Sequence, residues 1–105
     1  MTLERLGDVL SRLQELPGSH GLFVKNDRSM KAETECLFAP LSDENFEADI
    51  FNISMANRLV YVLHSNQVYE VVSNARGQDP ECTPEQLAKA VNHYYRYDGF
   101  MTLKK

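Results

Sequence analysis

The sequence lacks several features that would assign it to a common functional class. It has no tryptophan, only two cysteines and no basic excess, because eleven Lys and Arg stand against fifteen Asp and Glu, a net charge of −4. This balance argues against a binder of nucleic acid or of anionic membrane surfaces. No apolar run approaches the roughly 18 residues of a membrane-spanning helix, and the first residues lack a secretory signal pattern. We therefore expect a cytoplasmic protein with neither a nucleic-acid nor a membrane partner.

The residues that could carry catalysis or hold a metal are few and scattered. Cys36 and Cys82 have no zinc-ligand spacing, so we expect two free thiols, and burial in an apolar strand is expected to raise the pKa of Cys36. His20, His64 and His93 form no metal-binding pattern, and the five glycines form no phosphate-binding loop. We predict no enzyme, no cofactor and no metal. The enzyme alternative would use His64, beside a helix start, or Cys82, just before one.

The spacing of apolar residues is that of a small α+β domain. Apolar periodicity predicts a helix over 3–16, strands over 21–25, 34–39 and 59–63, and helices after Ser65 and after Thr83. The order is α-β-β-β-α-α. The 105 residues are therefore predicted to form one domain, residues 1–105, with about three antiparallel strands packed with about three helices.

Two segments give the clearest local signals. Leu59–Leu63 is continuously apolar, which is typical of a central strand. Thr83 is a good N-cap, Pro84 suits the first helical position, and Gln86 completes a capping box, so a helix is predicted to begin here. Residues 41–57 are less regular, and they are predicted to form an acidic loop followed by a short irregular helix.

Acidity is concentrated in residues 41–57. This segment has four acidic residues and no base, and it accounts for the whole net charge of the chain. One interpretation is a solvated face that keeps the protein soluble. The other is a docking surface for a basic partner, in which acids steer association and apolar side chains such as Ile50 and Phe51 anchor it. The partner-contact residues predicted in this segment are Asp43, Glu44, Phe46, Glu47 and Asp49.

A second candidate contact is the aromatic run at the end of the last predicted helix. Residues 94–97 hold three tyrosines and one arginine, of which no more than two can face the core. Exposed Tyr beside Arg is typical of interface hot spots, so Tyr95 and Tyr97 are predicted to contact a partner. The alternative is that Tyr94 lies in the core and the others form a half-buried wall.

Three stretches of the chain resemble a known family. They are the strand Asn57–Leu63, the next helix through Val68 and Val71–Ala75, and the stretch from Thr83 to Phe100. In the pattern of that family a Gly is common where Arg58 stands, and His93 replaces the first of three aromatic residues. The likeness is close over the second half of the chain, looser over residues 3–17, and absent in detail from the acidic segment. The chain thereby resembles small acidic immunity proteins encoded beside polymorphic toxins, including those of contact-dependent growth inhibition systems.

The resemblance implies a protein that binds one cognate toxin domain stoichiometrically and without catalysis. Such toxins are often nucleases with a basic cleft, which suits an acidic inhibitor. The resembling motifs imply the fold and not the binding site, so the acidic segment is predicted as the contact from its charge alone. We expect a monomer or a weak dimer. The alternative is an interaction or regulatory module with no toxin partner, and a neighbouring toxin reading frame would distinguish the two.

Overall fold

A four-stranded antiparallel sheet with helices on both faces is formed by residues 3–13 and 19–103, which the computed structural model describes. The elements in chain order are β1 (Glu4–Arg5), α1 (Leu6–Ser11), β2 (His20–Val24), β3 (Glu35–Pro40), α2 (Phe46–Asn57), β4 (Val60–His64), α3 (Ser65–Gln78) and α4 (Pro84–Tyr97). The sheet order is β1-β3-β2-β4. The predicted α+β class is confirmed, and the described residues form one more strand and one more helix than predicted.

Two separate apolar clusters cover the two faces of the sheet. Helices α1 and α3 pack on one face, and α4 packs against both of them, whereas α2 contacts β4 on the other face. Side chains alternate along β2, so that Leu22 and Val24 join the larger cluster and Phe23 joins the smaller one. The buried residues of the smaller cluster are Phe23, Leu37, Ala39, Leu41 and Leu59. The sheet therefore separates α2 from the other three helices.

The opening segment differs from the predicted helix over residues 3–16. Glu4–Arg5 pair with β3, and the helix begins only at Leu6. Leu3 packs against the smaller cluster and Leu6 lies in the larger one, so the two leucines lie on opposite faces of the sheet. A spacing of three residues suits one face of a helix, but it places strand side chains on opposite faces. The predicted end of this helix lies outside the described residues.

An arginine from α3 holds the end of α1. The Arg76 guanidinium donates to the carbonyl oxygens of Leu13 at 3.0 Å, Ser11 at 2.8 Å and Leu10 at 3.4 Å. The last carbonyls of a helix have no partner within the helix, and a cation there also complements the helix dipole. This side chain therefore fixes α1 to α3.

Strand β4 lies at the edge of the sheet and not at its centre as predicted. Among the described strands it pairs with β2 alone. Tyr61 packs against the smaller cluster, while Val62 and Leu63 lie in the larger one. The run is apolar because helices cover both of its faces. Burial by helices and burial between strands require the same composition, so the sequence could not distinguish them.

Helix α2 is longer and more regular than the predicted short irregular helix. It runs for 12 residues and ends at Arg58, whose φ of 54° and ψ of 48° lie in the left-handed region. Residues with a Cβ adopt this region at a cost of roughly 1 kcal/mol, whereas Gly adopts it freely. Arg58 therefore holds a backbone conformation that glycine would adopt without this cost.

The caps of α3 and α4 show how well local signals predict helix starts. The capping box of α4 is confirmed, because Gln86 N–H donates to Thr83 Oγ1 at 3.1 Å and Thr83 N–H donates to Gln86 Oε1 at 2.7 Å. At α3 the N-cap is His64, whose Nδ1 accepts from the Asn66 N–H at 3.2 Å. Ser65, the predicted start, is instead a buried helical residue whose hydroxyl accepts from the His20 N–H at 3.1 Å.

Replacement of Gly7 by alanine is expected to destabilise the protein, although the same replacement usually stabilises a helix. A Cβ at this position would lie 2.9 Å from the Cβ of Ala32 and 3.0 Å from that of Pro84, and neither neighbour can rotate away. Gly7→Ala should therefore lower the free energy of unfolding by about 1–3 kcal/mol. Gly77→Ala is the matched control in α3, where nothing lies within 4 Å, and it should raise stability by about 0.5–1 kcal/mol. Urea titration of both variants measures the two signs, and a stabilised Gly7→Ala protein would contradict the close packing.

Candidate interaction surface

Helix α2 rests on the sheet through a few half-buried side chains. None of its residues is buried, although Phe46, Ile50 and Ile53 pack against the smaller cluster. The Phe46 ring lies 6.3 Å from the ring of Tyr61 and 5.9 Å from that of His64. Phe46, predicted as a partner contact, therefore anchors α2 to β4, and Ile50 lies on the same inward side.

The outward side of α2 is apolar over most of its length. Phe51 is 64% exposed and Met55 is 66% exposed, which are large values for residues of their size. The exposed residues of this side are Glu47, Ala48, Phe51, Asn52, Met55 and Ala56. Their spacing in adjacent pairs every four residues defines one helix face, which we call the α2 outer face. A contiguous apolar face with a polar margin is typical of an interaction site.

The four acids of the segment divide into two pairs with different surroundings. Asp49 accepts the Ser42 N–H at 2.7 Å, and Asp43 accepts the Ser19 hydroxyl at 3.0 Å. These carboxylates hold the loop that leads into α2. Glu44 and Glu47 are exposed, and neither forms an ion pair with any described residue. They remain available to a partner, because Glu47 belongs to the α2 outer face and Glu44 lies just before the helix.

The start of α2 also forms a shallow, open depression of about 300 Å³. It is lined by Asp43, Glu44, Asn45, Phe46, Glu47 and Ala48. Its walls are the carboxylates of the loop and the first turn, with the Phe46 ring between them. The shape and charge suit a long cationic side chain that has an apolar stem.

Tyr95 and Tyr97 lie on the opposite side of the sheet from α2. The Tyr95 hydroxyl donates to Asp27 Oδ2 at 2.9 Å, and Arg96 Nη2 donates to the Asp27 carbonyl oxygen at 2.9 Å. The hydrogen bond to Asp27, followed by burial, raises the pKa of Tyr95. Tyr95 therefore joins α4 to the loop between β2 and β3. Tyr97 is 71% exposed, and its ring lies 4.8 Å from that of His93. The structure thus separates the seven predicted contacts into two surfaces.

Cys36, His20 and His64 lie in structural surroundings, and Cys82, the cysteine of the enzyme alternative, packs against the larger cluster. Cys36 is buried in β3, and burial, with a smaller contribution from the Glu4 carboxylate, raises the pKa of its thiol to about 12. Both cysteines are free thiols, as predicted. His20 stacks on Phe38 at 5.3 Å, and His64 caps α3. Within residues 3–13 and 19–103, no three His, Cys, Asp or Glu side chains are grouped to hold a metal ion.

The sequence pattern does not identify Met55 as a surface residue, and it does not show how the acids divide into two pairs. Residues 46–57 are apolar on both sides of the helix, so their periodicity does not show which side faces the sheet. The run from Glu47 to Phe51 to Met55 at four-residue intervals was the available signal for an outer face. The positions of Ser19 and Ser42 beside two of the acids depend on the tertiary structure, and no local pattern shows them.

The comparisons with known proteins identify a family but no function. Residues 3–103 match a family described as a domain of unknown function, DUF7716. No curated protein and no solved structure shows significant similarity to the chain. None of the helices in the described part of the chain has both the length and the apolar character to cross a membrane.

Proposed function

The chain belongs to the DUF7716 family, and we propose that it is an immunity protein that neutralises a cognate toxin domain by binding it through α2 without catalysis. The observation that carries the proposal is the α2 outer face, where Phe51 and Met55 are about two-thirds exposed near Glu44 and Glu47, which form no ion pair among the described residues. Apolar anchor residues bordered by charges of one sign are typical of a specific interface whose association is steered by electrostatics.

The charge of the segment indicates a basic partner. Residues 41–57 contain four acids and no base. A nuclease toxin has a basic cleft that binds a phosphate backbone, so an acidic helix is attracted to it before contact. The apolar side chains then supply the affinity that charge alone does not. Binding of this kind blocks the toxin stoichiometrically.

The surroundings of Cys36 and His64 support a function without catalysis at these two residues. A thiol is nucleophilic as the thiolate, and the raised pKa of Cys36 keeps it protonated at neutral pH. His64 is engaged through Nδ1 in the cap of α3. Cys82, the cysteine of the enzyme alternative, packs against the larger cluster. None of these residues is required in the proposed mechanism, so Cys36→Ser, Cys82→Ser or His64→Asn should affect folding and not toxin neutralisation directly.

The direct test is co-expression with a candidate toxin domain, namely the C-terminal domain of a large protein encoded immediately upstream, if the gene has such a neighbour. The proposal expects that the toxin domain alone stops growth, that the chain restores growth, and that the two proteins co-purify in equal amounts. Death of the co-expressing host, or the absence of a toxic domain beside the gene, would contradict immunity. In that case the α2 outer face would favour the alternative, an interaction module with another basic partner.

Charge reversal is expected to slow the association with the toxin domain. Glu44→Lys with Glu47→Lys should lower the association rate constant about tenfold at low salt, because electrostatic steering is lost, and the difference should shrink at high salt. The matched control is Glu81→Lys with Glu85→Lys, because Glu47 and Glu85 are both exposed in the first turns of helices. Stopped-flow mixing measures both rates. Equal slowing by both pairs would assign the effect to net charge and not to this surface.

A further inference from the structure

Helix α2 carries a row of exposed side chains that is complementary to itself. The row, which we call the α2 stripe, consists of Glu47, Phe51, Met55 and Arg58. Spacings of four residues keep Glu47, Phe51 and Met55 on one side of the helix, and Arg58 is the C-cap residue directly after its last turn. The stripe has an acid at its N-terminal end, two apolar residues in the middle and a base at its C-terminal end. Arg58 forms no ion pair with any described residue.

We propose that a second copy of this chain docks on the α2 stripe, with the two α2 helices antiparallel across a two-fold axis. In this arrangement Glu47 of each copy faces Arg58 of the other, and Phe51 of each copy packs against Met55 of the other. A two-fold interface uses the same patch on both copies, and each favourable contact therefore occurs twice. Antiparallel helices also place opposite dipole ends together.

Charge selects the antiparallel orientation. The acids Asp43 and Glu44 lie before α2, and in an antiparallel pair they fall at opposite ends of the interface. A parallel pair would bring these acids together and would leave both Arg58 side chains side by side. The small side chains of Ala48 and Ala56 border the stripe on the α2 outer face, which allows the two helix axes to approach closely.

The dimer has a consequence for the toxin interface, and this consequence alone rests on the proposed function. The second copy covers Phe51 and Met55, the anchors assigned above to the toxin domain. Self-association and toxin binding are then mutually exclusive. At high concentration the second copy covers the apolar face of the free protein. The toxin domain displaces this copy because its charge is more complementary to the face. The dimer itself requires no toxin.

Sedimentation of the purified full chain over micromolar to near-millimolar concentrations tests the dimer. The wild-type protein should show a monomer–dimer equilibrium. Glu47→Arg or Arg58→Glu alone places like charges at both ends of the stripe and should raise the dimer Kd about tenfold. The exchange of both charges, Glu47→Arg with Arg58→Glu, restores the opposite pairs and should return the Kd to within about threefold of the wild-type value. Glu85→Arg in α4 is the control and should leave the Kd unchanged.

Two results would overturn the dimer. One is a wild-type chain that is monomeric at every concentration, and the other is an exchanged variant no better than the single reversals. Thermal unfolding of each variant shows whether it is folded. A monomeric chain that still neutralises the toxin would overturn only the dimer, whereas a dimer that gives no protection would overturn only the proposed function.

Discussion

Phe23→Ala should lower the free energy of unfolding by about 3–5 kcal/mol. Phe23 is fully buried in β2, where it is the largest residue of the cluster between the sheet and α2, and its ring lies 5.4 Å from that of Tyr61. Truncation leaves a cavity that neighbours on two strands cannot fill. Because a domain of this size has only about 5–15 kcal/mol of stability, the variant should unfold at a much lower urea concentration.

Phe51→Ala is the matched control, because it makes the same substitution on the exposed outer face of α2. The Phe51 ring is mostly exposed, and its removal should change stability by less than about 0.5 kcal/mol. Circular dichroism during urea titration compares the two midpoints directly. A similar loss in both variants would mean that Phe51 is part of the core and that the α2 outer face is not a free surface.

Phe51→Ala combined with Met55→Ala should weaken toxin binding about 100-fold or more while the chain remains folded. Large apolar side chains at the centre of an interface supply most of its affinity, and the surrounding charges mainly set the rate of encounter. The loss should appear chiefly in the dissociation rate constant. This signature differs from that of the Glu44 and Glu47 reversal, which acts on association.

Tyr97→Ala is the control for this pair, because Tyr97 is as exposed as Phe51 and Met55 but lies across the sheet on α4. Calorimetric titration of the toxin domain with each variant compares the two surfaces. The proposal expects near wild-type affinity for Tyr97→Ala. If Tyr97→Ala lost affinity and the α2 pair retained it, the aromatic end of α4 would be the interface.

The sequence predicted the parts of the fold that depend on local chemistry. The Thr83 capping box and the strands near 21–25 and 34–39 follow from turn and cap residues and from β-favouring runs, and the structure has them with small changes at the ends. The buried, protonated Cys36 follows from its apolar neighbours in β3. Such features need no knowledge of distant residues.

The wrong predictions concern segments whose local sequence pattern fits two structures equally well, so that only tertiary packing decides between them. Leu3 and Leu6 fit a helix face but lie on opposite sides of a sheet, because Glu4–Arg5 find a partner in β3. Leu59–Leu63 suggested a central strand, but β4 is covered by helices at the sheet edge. The sequence predicted that the candidate site is acidic but not which of its side chains are exposed. The same segment packs against the sheet on one side and forms the exposed face on the other.

Oxidation of methionine by peroxide, in the free chain and in its complex with the toxin domain, tests directly whether the α2 outer face is the binding surface. Met55 is 66% exposed and Met30 is 2% exposed, so free dilute protein should oxidise rapidly at the first and slowly at the second. We expect the oxidation of Met55 in the complex to slow to nearly the rate of Met30. Unchanged oxidation of Met55 in a complex that still neutralises the toxin would place the interface elsewhere on the protein.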